Sequence, residues 1–306
     1  MIKIDKKTNK KFFLIGKIIT FFLVIYLFSK FINKNDFFII LEKIKFTDLI
    51  PIFLLFLLQP FLITLRWYVL IKNFSKISLL NFFKNIVEGF SFSLAFSSSL
   101  ALEAAKFFKI KKELGNKKSI ILIILDKFLA LYFKLIFILL SFTFYLNLYE
   151  DFKIDYYLMV ILIIFSLVLI FLNLPFFTIF ILKKINSKLN LKVFKKIFSV
   201  IKEKIYQLIL ANLVVQLANC SLYFLIFIAL NESIDLINLF ILVPVIELLS
   251  QFQFLVFGMK ELSTVFMFSF FSIKTELALV AAIIYTLFDY LTILILYLIL
   301  SLIRKK

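Results

Sequence analysis

Residues 82–118, FFKNIVEGFSFSLAFSSSLALEAAKFFKIKKELGNKK, decide the fold. The first part, 82–102, is apolar enough to enter a membrane, but Glu88, Gly89 and five serines (Ser91, Ser93, Ser97, Ser98 and Ser99) interrupt it. The last part carries Lys106, Lys109, Lys111, Lys112, Lys117 and Lys118. A single crossing by 82–102 would translocate that lysine cluster, and loops rich in Lys and Arg stay on the cytoplasmic side. A helical hairpin that enters and leaves on one side removes the conflict.

The rest of the chain sets the same frame. It is 63% hydrophobic with a mean hydropathy of +1.08 over 306 residues. Apolar stretches at 12–32, 49–71, 119–146, 156–182, 205–230 and 277–303 are each long enough to cross about 30 Å of hydrocarbon at about 1.5 Å per residue. A second interrupted stretch, 236–271, carries Pro244, Glu247, Ser250, Gln251, Gln253 and Gly258. Reading it as a second hairpin places residues 1–11, 72–118, 183–204 and 304–306 on one side, with 25 Lys and Arg. The opposite loops, 33–47, 148–155, 231–235 and 258–276, hold 6, and also Glu150, Asp151, Asp155, Glu232 and Asp235.

The expectation is therefore an all-α polytopic membrane protein with six full spans and two re-entrant helical hairpins. Both termini lie in the cytoplasm and the membrane is the bacterial inner membrane. Residues 1–306 form one membrane domain. Within it, 1–47 is a first span and outer loop, 48–155 a first repeat, 156–204 a connecting span and basic loop, and 205–303 a second repeat. The span before each hairpin runs in the opposite sense in the two halves, which makes the repeat inverted. Such repeats place sites near the midplane, where broken helices meet.

Composition excludes several functions. A net charge of +18 raises nucleic acid as a partner, but the lysines lie between apolar spans, where orientation requires them. Histidine is absent, so no imidazole base or His-ligated metal is expected. Cys220, alone in an apolar span, reads as a small buried hydrophobe. The N-terminal lysines Lys6, Lys7, Lys10 and Lys11 precede an apolar run without a small-residue cleavage site, so they read as flanking an uncleaved span. No phosphate-binding loop, dinucleotide fingerprint or nucleophile elbow occurs. No cofactor, metal site or catalytic residue is expected.

Six acids recur in matching places. Glu88, Glu103 and Asp126 lie in the first half, and Glu247, Glu261 and Asp289 in the second. Glu88 and Glu103 are 15 residues apart, Glu247 and Glu261 14. A charge at mid-bilayer costs roughly 2.5–3.5 kcal/mol on insertion scales, so intramembrane acids point to buried, partnered sites. Glu103 and Lys106, three apart, share a helix face; the serines before them suit a helix N-terminus open to an anion. Lys260-Glu261 is the second-half counterpart. Lys127 and Lys134, seven apart, also share a face, and Lys127 is near enough to the interface to snorkel. Arg66 is either an interfacial anchor or a planar donor for phosphate or carboxylate. Asp289, without a cation near it in sequence, is expected to pair across helices with Arg66, Lys127 or Lys134. Glu88 and Glu247 match in position but have no cation near them in sequence. Glu247 is expected to pair across helices or to be protonated.

These residues resemble a known family: flippase-like membrane proteins related to the transmembrane region of lysylphosphatidylglycerol synthases. The likeness runs from Leu65-Arg66-Trp67 through Glu88-Gly89, Leu102-Glu103-Ala104-Ala105-Lys106 and Leu125-Asp126-Lys127. It resumes at Pro244, Gly258-Met259-Lys260-Glu261 and Ala278-Leu279-Val280-Ala281-Ala282. Two features depart from the pattern. The first elbow is serine-rich instead of rich in Pro and Gly. Lys106 and Lys127 stand where Arg is expected, which replaces a forked donor by a point charge. The synthases' soluble aminoacyl-transferring domain has no counterpart here, so the resemblance implies the translocating part.

The expected function is movement of a lipid or isoprenoid-linked amphiphile across the membrane. Arg66, Lys106 and Lys127 would draw a phosphate, with Lys134 deeper in the same span. Glu103, Asp126, Glu261 and Asp289 would orient those cations or hold a cationic headgroup. The alternatives are a membrane glycosyltransferase or other lipid-modifying enzyme using Glu103 or Glu261, a proton-coupled small-solute exporter using Glu247 or Asp289, and a structural subunit. The expected partners are membrane lipid or a lipid-linked substrate, and a cell-envelope glycosyltransferase or lipid-synthesis enzyme.

Overall fold

The computed structural model describes residues 33–96, 99–148, 199–200, 202–251, 259–269 and 271–304. Among them the regular structure is entirely helical. The order is α1 (Lys34–Glu42), α2 (Phe46–Ile71), α3 (Leu79–Phe96), α4 (Ser99–Leu148), α5 (Ile205–Ala229), α6 (Leu236–Gln251), α7 (Met259–Ser269) and α8 (Thr275–Arg304). Three described helices are long and apolar enough to cross a membrane: Phe46–Ile71, Ile205–Ala229 and Thr275–Ile303. This is a multi-pass helical membrane protein. The expected spans 12–32 and 156–182 and most of the basic loop 183–204 lie outside the described residues, as do Ser97, Ser98 and residues 252–258. The expected outer loop 33–47 contains α1. Its N-cap Asn33 accepts from the backbone N–H of Asn35 at 3.1 Å, and the Asn33 N–H donates to Glu276 at the start of α8 at 3.0 Å.

Two glycines shape the first half. The 50-residue α4 leaves helical geometry at Gly115 (φ 75°, ψ 166°), a conformation that side chains with a Cβ rarely adopt. Residues 99–114 and 116–148 are thus two helical segments. The first folds back on α3. At Gly89 of α3 a Cβ would lie 2.8 Å from the Ala105 Cβ and 3.0 Å from Leu102, so the missing side chain lets the two arms touch. The base of this hairpin is clasped at one end. Glu113 Oε2 accepts from the Ser75 hydroxyl at 2.6 Å and from the Lys76 N–H at 2.9 Å.

The second half also holds a packed pair of helices. Helices α6 and α7 pack together and α7 packs on α8. Loop residues before α6 (Glu232, Ser233, Ile234) and after α7 (Phe271, Ser272, Lys274) line one cavity, so this hairpin too has its two ends side by side.

Helices α2 and α5 run antiparallel through the centre. Ile52 and Phe56 join the end of α5 and the faces of α6 and α8 in one apolar cluster. Trp67, Leu70 and Ile71 join Leu208, near the start of α5, and the inner faces of α3 and α4 in another. The base of the first hairpin lies at the Ile71 end of α2, and the base of the second at the Leu230 end of α5, the opposite end of the pair. Each hairpin also packs on the other half: α3 against α8, and α6 against α4. Between the two apolar clusters α2 and α5 meet through polar groups, where Gln59 Nε2 donates to Asn219 Oδ1 at 2.6 Å.

Candidate functional site

A cavity of about 280 Å³ opens at that polar level. Its wall draws on α2, α3, α4, α5, α6, α7 and α8. Five cations face it, Arg66, Lys106, Lys127, Lys134 and Lys260, together with three carboxylates, Glu103, Glu247 and Asp289. Pro60 of α2 also lines it; proline lacks the N–H that would close the ladder to Phe56. One turn on, the Thr64 hydroxyl donates to the Pro60 carbonyl at 2.6 Å.

Asp126 lies behind the wall and holds its cations. Its Oδ2 meets Arg66 Nη2 at 3.3 Å and Lys106 Nζ at 3.2 Å. Lys106 also reaches Glu103 Oε1 at 3.2 Å, and Lys127 reaches the same oxygen at 2.9 Å. The result is one chain of alternating charge: Arg66, Asp126, Lys106, Glu103, Lys127. The three-residue spacing of Glu103 and Lys106 does produce an ion pair, and not a solvated one, since Lys106 is only 2% exposed. Its ammonium also lies 5.3 Å from the centre of the Trp67 ring. Lys127 remains half exposed, while its charge is tied to Glu103.

The second half differs. Lys260 stands over the Tyr285 ring at 3.4 Å. Glu261 Oε1 accepts from the Thr286 hydroxyl at 2.7 Å. Asp289 is not within ion-pair distance of Arg66, Lys127 or Lys134, each of which is engaged elsewhere. The cation it faces is Lys260. The two halves are joined by Lys134 Nζ and Glu247 Oε2 at 2.6 Å. The Asn219 amide also donates to Glu247, and Gln59 donates to the Tyr285 hydroxyl at 3.2 Å.

Of the residues singled out in sequence, Arg66, Glu103, Lys106, Lys127, Lys134, Glu247, Lys260 and Asp289 reach the cavity, and Asp126 supports it. Glu261 is buried against α8, outside the lining. Glu88 is not brought to the cavity. Glu247, which has no cation near it in sequence, acquires one from the other half. Sequence reasoning missed Gln59, Asn219 and Tyr285. The signal for Asn219 was present: Asn212, Gln216 and Asn219 sit four and three apart on one face of an otherwise apolar span, and all three are buried. Among the described residues no group of His, Cys, Asp and Glu is arranged to hold a metal.

No curated protein and no solved structure matches the chain. The model of one family, described as the lysylphosphatidylglycerol synthase TM region, matches residues 13–296. A likeness over that length, with Arg66, Glu103, Asp126 and Lys127 gathered at one cavity inside it, makes this chain a member of the lysylphosphatidylglycerol synthase TM region family.

Proposed function

We propose that the protein moves a lipid or isoprenoid-linked amphiphile between the leaflets of the inner membrane. The observation that carries this reading is the cavity itself: a charged space of about 280 Å³ inside a bundle of apolar helices, walled by both hairpins. A polar headgroup occupies the cavity while its tail stays in the bilayer. Five cations against three carboxylates on the wall favour a headgroup bearing phosphate.

The architecture we propose is an inverted repeat of six full spans and two re-entrant hairpins in one membrane domain, with both termini cytoplasmic. Three features support it: antiparallel α2 and α5, hairpin bases at opposite ends of that pair, and reciprocal packing of α3 on α8 and α6 on α4. Alternating access then rocks one half against the other about the cavity.

Glu103 is one of the two carboxylates, with Glu261, that a lipid-modifying enzyme would use as a base. Here it is shared by Lys106 and Lys127, which suits holding cations in place better than taking up a proton. The test is transbilayer movement of a fluorescent phospholipid in proteoliposomes, comparing the unaltered protein with Glu103→Ala and Asp126→Ala. Movement by the unaltered protein and its loss in both folded variants is expected. Unchanged movement in both sinks the reading, and turnover of a polyprenyl-phosphate sugar into product would replace it with enzymatic chemistry.

A further inference from the structure

Of the acids in or behind the cavity wall, all but one are held by cations. Glu103 is tied to Lys106 and Lys127, Asp126 to Arg66 and Lys106, and Glu247 to Lys134. Asp289 lines the cavity with no ion pair and no side-chain hydrogen bond among the described residues. Lys260, the cation it faces, is not within ion-pair distance of a described carboxylate either. Its ammonium rests on the Tyr285 ring, 3.4 Å from the centre. A charged carboxylate left without a partner in apolar surroundings is costly, and such a group commonly sheds its charge by taking a proton.

The geometry gives Lys260 two seats. Tyr285 and Asp289 are four residues apart on α8, so they share a face, with Cβ atoms about 5–6 Å apart. The flexible four-carbon stem of a lysine spans that step by rotation alone. With Asp289 neutral, the ammonium stays on the ring and open to the cavity. With Asp289 charged, the pull of a full carboxylate charge exceeds that of a ring's quadrupole. The other groups near Asp289 leave this choice to Lys260. Tyr223 on α5 and Tyr285 and Tyr290 on α8 face it, and a phenol is neutral near pH 7. Glu261 on α7 is bound by Thr286, while Arg66 on α2 and Glu247 on α6 are held in ion pairs. The charged α4 residues on the wall are paired as well. Helix α3 reaches the cavity only with Phe90, and α1 meets α8 at its start, where Asn33 binds Glu276.

We propose that Asp289 is a proton-binding site that couples lipid movement to a proton gradient: protonated, it leaves Lys260 free for the headgroup phosphate, and deprotonated, it draws Lys260 away. The inference rests on the lipid-moving reading and supplies its energy source. Proton and phosphate load together and leave together, so lipid gathers in the leaflet on the alkaline side. The proton comes from water on one side and returns to water on the other, and only the carboxyl O–H bond forms and breaks. Tyr285 links this site to the joint between the halves. Its hydroxyl accepts from Gln59, and Gln59 and Asn219 lead on to Glu247 and Lys134.

The test reconstitutes the full chain in phosphatidylcholine vesicles that carry a fluorescent phosphatidylglycerol. A pH difference of about one unit is set across the membrane, and the voltage is clamped with potassium and valinomycin. Chemical quenching of the outer leaflet reads the distribution of the probe. One proton per lipid supports up to about a tenfold excess in the leaflet on the alkaline side, the factor that corresponds to ~1.4 kcal/mol. The unaltered protein is expected to approach that excess and to reverse it when the gradient is reversed. Asp289→Asn is expected to leave the probe evenly distributed under the same gradient. Even distribution by an unaltered protein that moves lipid overturns the proton site alone; no movement by the unaltered protein sinks the translocation reading and the site with it. An excess retained in Asp289→Asn also overturns the site. Where Asp289→Asn moves no lipid, infrared difference spectra between acid and alkaline pH decide. A protonated-carboxyl band present in the unaltered protein and missing from the folded variant supports the site, and a band untouched by the substitution overturns it.

Discussion

Lys134 and Glu247 meet at 2.6 Å, and they come from opposite halves of the chain, 113 positions apart in sequence. Each is a charge in an apolar helix, and each is the other's partner. The contact also anchors a polar line, because Glu247 takes the Asn219 amide and Asn219 in turn takes Gln59. The joint between the halves is therefore polar at the level of the cavity and apolar above and below it.

Breaking that pair from one side leaves a buried charge without compensation, at a cost of roughly 3–5 kcal/mol. Lys134→Ala and Glu247→Ala should each lower the unfolding temperature of the purified protein. Glu247→Gln should be milder, since it retains an acceptor for Asn219. The exchange variant Lys134→Glu with Glu247→Lys should recover much of the loss. Unfolding followed by intrinsic fluorescence checks this, and an exchange variant no better than the sum of its parts argues against the pair.

Gly89 should not tolerate even one methyl group. A Cβ there would stand 2.8 Å from the Ala105 Cβ, closer than side chains approach. Gly89→Ala is expected to destabilise by about 1–3 kcal/mol, the usual range for overpacking. Ala105→Gly in the same chain should restore most of it by removing the opposing atom. No rescue would mean that the two arms do not touch at this point.

How much of this was legible in the sequence depends on the kind of residue. The interruptions were legible because Glu88, Gly89, Pro244 and Glu247 break apolar runs, and the lysine counts led from them to the expectation of hairpins. Residues paired within one stretch, Glu103 with Lys106, were legible from helix spacing. Pairs made across the fold were not. Nothing local to Glu247 announces Lys134, and nothing local to Asp289 announces Lys260. Glu88 matches Glu247 in position but does not line the cavity. Gly89, its neighbour, is the residue that faces the second arm.

Gly115 sets the break between the hairpin and the span that follows. With φ at 75° and ψ at 166° it sits where essentially only glycine rests without strain, although the space around it is open. Gly115→Ala is therefore expected to cost about 1–3 kcal/mol through the backbone alone. Because no atom lies within 4 Å of the added Cβ, no repacking variant should rescue it. Denaturation of Gly115→Ala beside Gly89→Ala separates the two mechanisms, since only the latter is relieved by trimming a neighbour.

The sidedness of the hairpins can be read directly. The first is clasped at its base by Glu113 with Ser75 and Lys76. The second has its ends together around Glu232 and Lys274. Those bases lie at opposite ends of the α2 and α5 pair. In a Cys220→Ser background, a single cysteine at exposed position 112 should react with a membrane-impermeant maleimide only from the cytoplasmic side. A single cysteine at exposed position 274 should react only from the outside. Cys220 is buried, so its replacement should leave the fold intact, which the unfolding temperature verifies. Labelling of both positions from one side would rule out opposed hairpins and, with them, the inverted repeat on which alternating access rests. Labelling from opposite sides, together with loss of lipid movement in Asp126→Ala, would tie the cavity to transport: Asp126 supports Arg66 and Lys106 from behind the wall and bears on the headgroup only through them.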